Sequence, residues 1–243
     1  MPEACGMAIV PDTKDWTWVL ERPCAECGFA AASVTRADVP ALLLANVAAW
    51  RQVLAGPDPH ARPRPDRWSP LEYACHVRDV CRVYAERLRL MLTTDDPAYP
   101  NWDQDATAVA DRYAEQDPAT VVAELTAAAE HLAARFAEVT GAQWERTGAR
   151  SDGAHFTVDT FARYFIHDPL HHLNDVVGEI TGIREPETVP ATCVALRRCR
   201  RFDIVHWCGS AHASDGHGHL LCSTFSSRCE AVCEARLIGA SPI

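Results

Sequence analysis

The chain has 243 residues, 48% of them hydrophobic and 23% charged, enough for one sizeable core or one domain with an appendage. Its formal net charge of −10 disfavours nucleic acid and anionic membrane surfaces as partners. No apolar run approaches the roughly 20 residues of a membrane span, and the first ten residues lack the basic and apolar regions of a signal peptide, so the expected compartment is the cytoplasm.

Residues 1–34 show no periodicity but hold Trp16, Trp18 and the pair Cys24-x-x-Cys27. Two tryptophans so close together bury against something, so this stretch reads as an ordered N-terminal arm. The cysteine pair has the spacing of half a zinc site or of a redox pair. No second pair repeats that spacing, and the favoured reading is two ordinary thiols packed on the domain. The chain has 11 cysteines, an odd number, and six of them follow Ala191, which argues for thiols and against a disulfide framework.

Four helices are predicted next. The first covers 36–55, capped by Thr35 or Asp38, with an apolar stripe of Leu42, Leu43, Val47, Trp50 and Leu54. A proline-rich loop over 56–68 leads into Ser69-Pro70-Leu71-Glu72, the start of a second helix with a capping box. That helix runs to about 93 on a stripe of Val77, Val80, Tyr84, Leu88 and Met91, with His76 beside it. The connection 94–117 is long for adjacent antiparallel helices and predicts a crossover that leaves helices two and three parallel. Asp117-Pro118 opens the third helix, ended by Gly141, and Thr157 caps a fourth over 157–179.

Pro169 interrupts that last helix and leaves two options: a kink near Phe165, which is favoured, or a new helix starting at Pro169 with Asp168 as its cap. Residues 186–243 are rich in Cys, Ser, His and Arg, have no sustained period and read as a weakly ordered tail, of a composition that a shifted reading frame would produce. The expected fold class is therefore all-α: a four-helix bundle over 35–185 with an N-terminal arm and an irregular tail.

The chemistry concentrates in the fourth helix. His167 and His171 are four apart and share a face, and two stacked imidazoles can bind one divalent metal. His172 lies about 100° further round the helix and is read as pointing away. Asp168 is read as a surface group, with an orienting or basic role like that of Asp79 as the alternative, and Glu72 as spent on capping. The third ligand is assigned to His76, which alone would read as a satisfied core histidine. Asp79, three residues after His76, can orient an imidazole or act as a base. Three histidines on Zn²⁺, Ni²⁺ or Fe²⁺ leave a position open to activate a water or a thiol.

The capped segment Trp68-Ser-Pro-Leu-Glu-Tyr-Ala-Cys-His76-Val-Arg-Asp79 and the segment His167-Asp-Pro-Leu-His-His172 resemble the DinB-like superfamily over about residues 35–180. That resemblance implies an up-down-down-up bundle, a metal triad falling on His76, His167 and His171, and relatives that include mycothiol-dependent maleylpyruvate isomerases and thiol S-transferases. Mycothiol or another small thiol is then the expected co-substrate. The arginine-for-lysine bias of the chain, 22 arginines beside the single Lys14, is that of GC-rich coding and links to mycothiol by association. The expected partner is a small-molecule substrate, with a homodimer as the assembly. The rival expectation is a metal-binding or stress-related bundle without turnover.

Overall fold

The computed structural model of the protein describes Ile9 and residues 14–180. The chain divides into the units Met1–Phe202 and Asp203–Ile243, and the described residues belong to the first. The tail predicted over 186–243 and most of the first 13 residues lie outside the described residues.

Four long helices build the domain: α1 (Val39–Leu54), α2 (Pro70–Thr93), α4 (Pro118–Ala137) and α5 (Val158–Ile180). A shorter α3 (Gln104–Ala110) precedes α4. α4 packs between α1 and α2, and α5 closes the ring against the other side of both, making a four-helix bundle. Trp50, Leu71, Leu88, Leu132, Phe136 and Phe165 are among its fully buried side chains.

The helix starts follow their local chemistry. Ser69 Oγ accepts from the Glu72 amide at 3.2 Å while Glu72 Oε2 accepts from the Ser69 amide at 2.8 Å, closing the capping box. Asp117 accepts from the Thr120 amide at 2.8 Å, and Thr157 Oγ1 from the Thr160 amide at 3.1 Å. α1 starts later than predicted. Asp38 sits at its N-cap, but its carboxylate turns back to the Thr35 amide at 2.8 Å and so closes the preceding turn. α5 runs through Pro169 without restarting there, and Asn46 of α1 donates to the Pro169 carbonyl at 2.8 Å. His167 therefore stays on the same helix as His171 and His172.

The long connection is not bare loop. It holds β1 (Ala98–Tyr99), α3 and the 3₁₀ turn Tyr113–Glu115. β1 pairs in parallel with β2 (Thr147–Arg150), which pairs antiparallel with β3 (His155–Thr157). This small sheet packs on the end of α2, where Gly148 lies so close that a Cβ there would fall 2.8 Å from Met91 Cγ. Two- to four-residue strands carry no alternation that a sequence pattern could reveal.

α2 and α5 run antiparallel, as their ring contacts record. Tyr84, late in α2, stacks on Phe161 at 4.6 Å early in α5, whereas Tyr73, early in α2, meets His172 at 5.1 Å late in α5. The arm packs onto the bundle: Val19, Cys24, Phe29 and Ala31 are buried. Among the described residues no helix is long and apolar enough to cross a membrane.

Candidate metal centre

The rotation of α5 is set by its aromatic stripe. Phe161 and Phe165 pack on Tyr84 of α2 at 4.6 and 4.9 Å. On a helix, the positions that continue that stripe are i+7 and i+11 from Phe161, namely Asp168 and His172. These two, and not His167 and His171, therefore face α2.

The structure accordingly forms two groups of ligand-type side chains. His76, Asp168 and His172 make one; Cys24, Cys27, His167 and His171 make the other, and within each group the ligand atoms lie within 4.8 Å of one another. The expected grouping of His76 with His167 and His171 is not the one formed, because one i,i+4 pair faces α2 and the other, 100° round, faces the arm. The sequence reading missed Asp168 and His172, although they carry the same spacing as His167 and His171. Extending the Phe161/Phe165 stripe would have found them.

In the first group His76 is fully buried, and neither of its ring nitrogens makes a hydrogen bond. Its Nε2 is 3.4 Å from Asp168 Oδ1, an oxygen that is itself shielded and without a hydrogen bond. Trp102 stacks on the His76 ring at 5.4 Å, and Trp68 covers it at 5.3 Å. His172 Nε2 lies 3.8 Å from Asp168 Oδ2, and its Nδ1 lies 3.5 Å from Asp175 Oδ2. Leaving a buried polar group unsatisfied costs about 1–3 kcal/mol, so orphaned atoms of matching ligand type in one cluster fit a cation between them.

The electrostatics agree with that donor set. Burial holds the His76 imidazole below its ordinary range, against the pull of Asp168, so it is neutral and able to ligate. Burial works to raise Asp168, but the imidazoles of His172 and His76 hold the carboxyl well below the usual carboxylate range. Two imidazoles and one carboxylate suit Zn²⁺ or Fe²⁺ in a site with open positions.

In the second group Cys24 Sγ is 3.7 Å from His171 Nδ1, and all four residues are buried. His171 Nε2 points at carboxylates, 3.5 Å from Glu26 Oε2 and 3.6 Å from Asp175 Oδ2. His167 is pushed down to about 4, first by burial and then by His171 beside it. Cys75 differs: burial pushes its thiol up to about 12, which makes it inert at neutral pH.

Asp79, expected as a base or orienter, is occupied elsewhere. Arg78 reaches both of its oxygens at 2.9 Å, Arg82 donates at 2.9 Å and the Tyr113 hydroxyl at 2.6 Å. Burial would raise its carboxyl, but these donors hold it below the ordinary aspartate value. It anchors the 3₁₀ turn before α4 to α2. Glu72 is spent on its capping box and on Arg62, in keeping with the sequence reading.

A cavity of about 1040 Å³ opens beside α5. Asp168 and His172 line it, as do His167 and His171 of the other group, together with Tyr84, Arg87 and Trp102. Arg87 is buried, its guanidinium lies over the rings of Tyr84 and Tyr99, and its hydrogen bond goes to the Pro100 carbonyl at 2.8 Å. Among the described residues it has no carboxylate partner within ion-pair distance.

Comparison with known proteins places these observations in a family. No curated protein matches the chain. Among solved structures it is similar to YfiT from Bacillus subtilis, described as a probable metal-dependent hydrolase with an unusual four-helix bundle topology. The identity is 19%, the alignment covers 72% of this chain and 94% of that one, and the TM-score is 0.49. The DinB superfamily model matches residues 45–176, more than half of the chain and a span from within α1 to within α5 that carries His76, Asp168 and His172. On that match, the chain belongs to the DinB superfamily.

Proposed function

We propose that the protein is a metal-dependent enzyme whose metal is held by His76, Asp168 and His172 and whose reaction transfers a small thiol, of the mycothiol type, to an anionic electrophile. The observation that carries this reading is the buried His76 ring, whose nitrogens make no hydrogen bond of good geometry and whose Nε2 faces Asp168 at 3.4 Å, beside a large cavity that Asp168 and His172 line. A Zn²⁺, Ni²⁺ or Fe²⁺ ion bound there supplies a Lewis acid that lowers the pKa of a thiol or a water.

The chain's own residues define the rest. Arg87, a buried cation without a carboxylate partner among the described residues, favours an anionic group on the substrate. Trp102 and Trp68 keep bulk water from His76. Asp175 beside His172 Nδ1 fixes the ring so that Nε2 faces Asp168. The volume of the cavity lies at the upper end for a single small ligand. That favours two reactants, a thiol and an acceptor, over a water and one substrate. In such a transfer the thiol loses its proton to solvent, the sulfur forms a bond to the electrophilic carbon, and the leaving group departs with its electron pair. Hydrolysis, in which water takes the place of the thiol, is the nearest alternative within the same site.

The same reading takes the bundle as up-down-down-up. It is supported by Gln116, just before α4, meeting Arg78 near the start of α2 at 2.7 Å, and by Arg146, beyond the end of α4, reaching the Met91 carbonyl near the end of α2. All the ligands come from one chain, so the site does not require the homodimer that was expected.

The test is metal content and turnover together. Protein prepared anaerobically with Zn²⁺, Ni²⁺ or Fe²⁺ is assayed for consumption of mycothiol with small anionic electrophiles, and for hydrolysis without thiol. His76→Ala and His172→Ala should each lose the same equivalent of metal and all turnover, whereas His167→Ala should retain that metal. Arg87→Gln should raise KM for the anionic substrate about 10-fold or more with kcat little changed. Loss of one and the same equivalent in His76→Ala and His167→Ala, with His172→Ala unaffected, would restore the triad of His76, His167 and His171. Stoichiometric metal without turnover on any thiol or electrophile would favour the rival reading, a metal-binding bundle that is not an enzyme.

A further inference from the structure

The second group of ligand-type side chains lies outside the donor set of that reaction. Cys24 and Cys27 come from the arm, and His167 and His171 from one face of α5, nearly 150 residues further along the chain. All four are buried, with exposures of 1%, 7%, 4% and 6%, and all four ligand atoms lie within 4.8 Å of one another.

We infer that Cys24, Cys27, His167 and His171 form a second metal site, a closed tetrahedral Cys2His2 zinc site that pins the N-terminal arm to α5.

Four further observations converge on it. The Cys24–Cys27 turn is already shaped to converge its two side chains: the Gly28 amide donates to the Cys24 carbonyl at 2.8 Å, and the Cys24 amide donates to the Phe29 carbonyl at 2.7 Å. Gly28 sits at φ +75°, a conformation that favours glycine. The second observation is the outer shell of His171. Its Nδ1 faces Cys24 Sγ while its Nε2 faces the carboxylates of Glu26 and Asp175, as in the carboxylate–histidine–metal relays that orient imidazole ligands. The third is His167 Nε2, buried and without a hydrogen bond. The fourth is the wall around the group: Trp16 lies 5.3 Å from His167 and 4.9 Å from His171, and Phe29 lies 5.3 Å from His167.

Zinc–sulfur and zinc–nitrogen bonds of about 2.3 and 2.0 Å put tetrahedral ligand atoms roughly 3.3–3.8 Å apart. The Cys24–His171 distance of 3.7 Å already fits that edge. Four protein ligands leave no open position, and this separates a structural zinc site from a catalytic one. Two thiolates balance the charge of the cation, and the soft sulfur donors select Zn²⁺ over Mg²⁺ or Ca²⁺.

The experiment substitutes Co²⁺ into the full-length protein under reducing conditions, because cobalt reports thiolate ligation through a near-ultraviolet charge-transfer band and tetrahedral geometry through strong visible bands. The wild type should show both, and Cys24→Ser should lose most of the charge-transfer intensity. His76→Ala should keep it, since that variant removes a ligand of the other site only. Should Cys24→Ser fail to fold, Cys27→His keeps four ligands with one thiolate and should show about half the intensity. No charge-transfer band in metal-replete wild type would overturn the inference. So would a band unchanged in Cys24→Ser or Cys27→His, which would trace it to the cysteines after Ala191. Neither result bears on the metal held by His76.

Discussion

The two faces of α5 make an instructive contrast. Each presents a pair of potential ligands spaced four apart, His167 with His171 and Asp168 with His172. The helix spacing is the same, so the difference lies in what each face meets. The face toward α2 meets one further histidine, and three ligands leave a position open for chemistry on a small molecule. The face toward the arm meets two cysteines and a wall of Trp16 and Phe29, and four ligands with no vacancy suit the holding of structure. Ligand number and type, rather than the histidines themselves, distinguish the two roles.

The contrast breaks most sharply in stability. If the arm-side group is structural, Cys24→Ser costs the free energy of metal binding, about 4 kcal/mol when free zinc stands about 1,000-fold above its Kd. Thermal unfolding of wild type and variant, each with and without a zinc chelator, checks this. The chelator should destabilise the wild type strongly and Cys24→Ser hardly at all. At the cavity-side group, His172→Ala should lose its metal and with it all turnover, while its unfolding midpoint falls by less than that of Cys24→Ser. An equal loss of stability in both variants would erase the distinction.

Much of this was legible in the sequence. Ser69 with Glu72, Asp117 and Thr157 gave local caps that the structure uses. The apolar stripes placed the long helices, and His76 sits on α2 and His167 and His171 on α5, as the sequence reads. The rotation of α5 was not legible from the histidines alone. Its pairs 167/171 and 168/172 are equivalent by spacing, and only the packing of Phe161 and Phe165 on Tyr84 decides between them. The role of the Cys24–Cys27 pair was hidden for a related reason. A site with no second cysteine pair looked incomplete, because its other ligands come from a distant helix.

One side chain spans the contrast. Asp175 Oδ2 lies 3.6 Å from His171 Nε2 and 3.5 Å from His172 Nδ1, one carboxylate behind one imidazole of each group. Asp175→Asn removes the charge that orients both rings. Both metals should bind about 10- to 100-fold more weakly, the usual scale for an outer-shell partner. Competition titrations with a chromophoric chelator would read the two affinities separately. Weakening of only one would show that the other ring is held by different neighbours, with Glu26 the first choice for His171.

The smallest effect is the control that both faces should ignore. Asp79 was read from the sequence as a base or an orienter of His76, yet its carboxylate is taken by Arg78, Arg82 and Tyr113. Asp79→Asn should therefore leave both metal equivalents bound while lowering stability by about 1.5 kcal/mol, the low end for a hydrogen bond to a charged group. The low end applies because Arg78 keeps Gln116 at 2.7 Å and Glu124 at 3.0 Å as partners. The pH dependence gives a second readout with a definite sign. Asp79 titrates below its ordinary value of 3.8 in the folded protein, against burial, because Arg78 and then Tyr113 hold its charged form. The unfolded chain thus takes up the proton first as pH falls. The stabilisation is complete above the ordinary aspartate range and drains away below 3.8. Urea unfolding of wild type and Asp79→Asn should differ by a constant amount from pH 7 to about 5 and converge below that value. Loss of the His76-bound metal in Asp79→Asn would instead return Asp79 to the site and blur the line between cavity and scaffold.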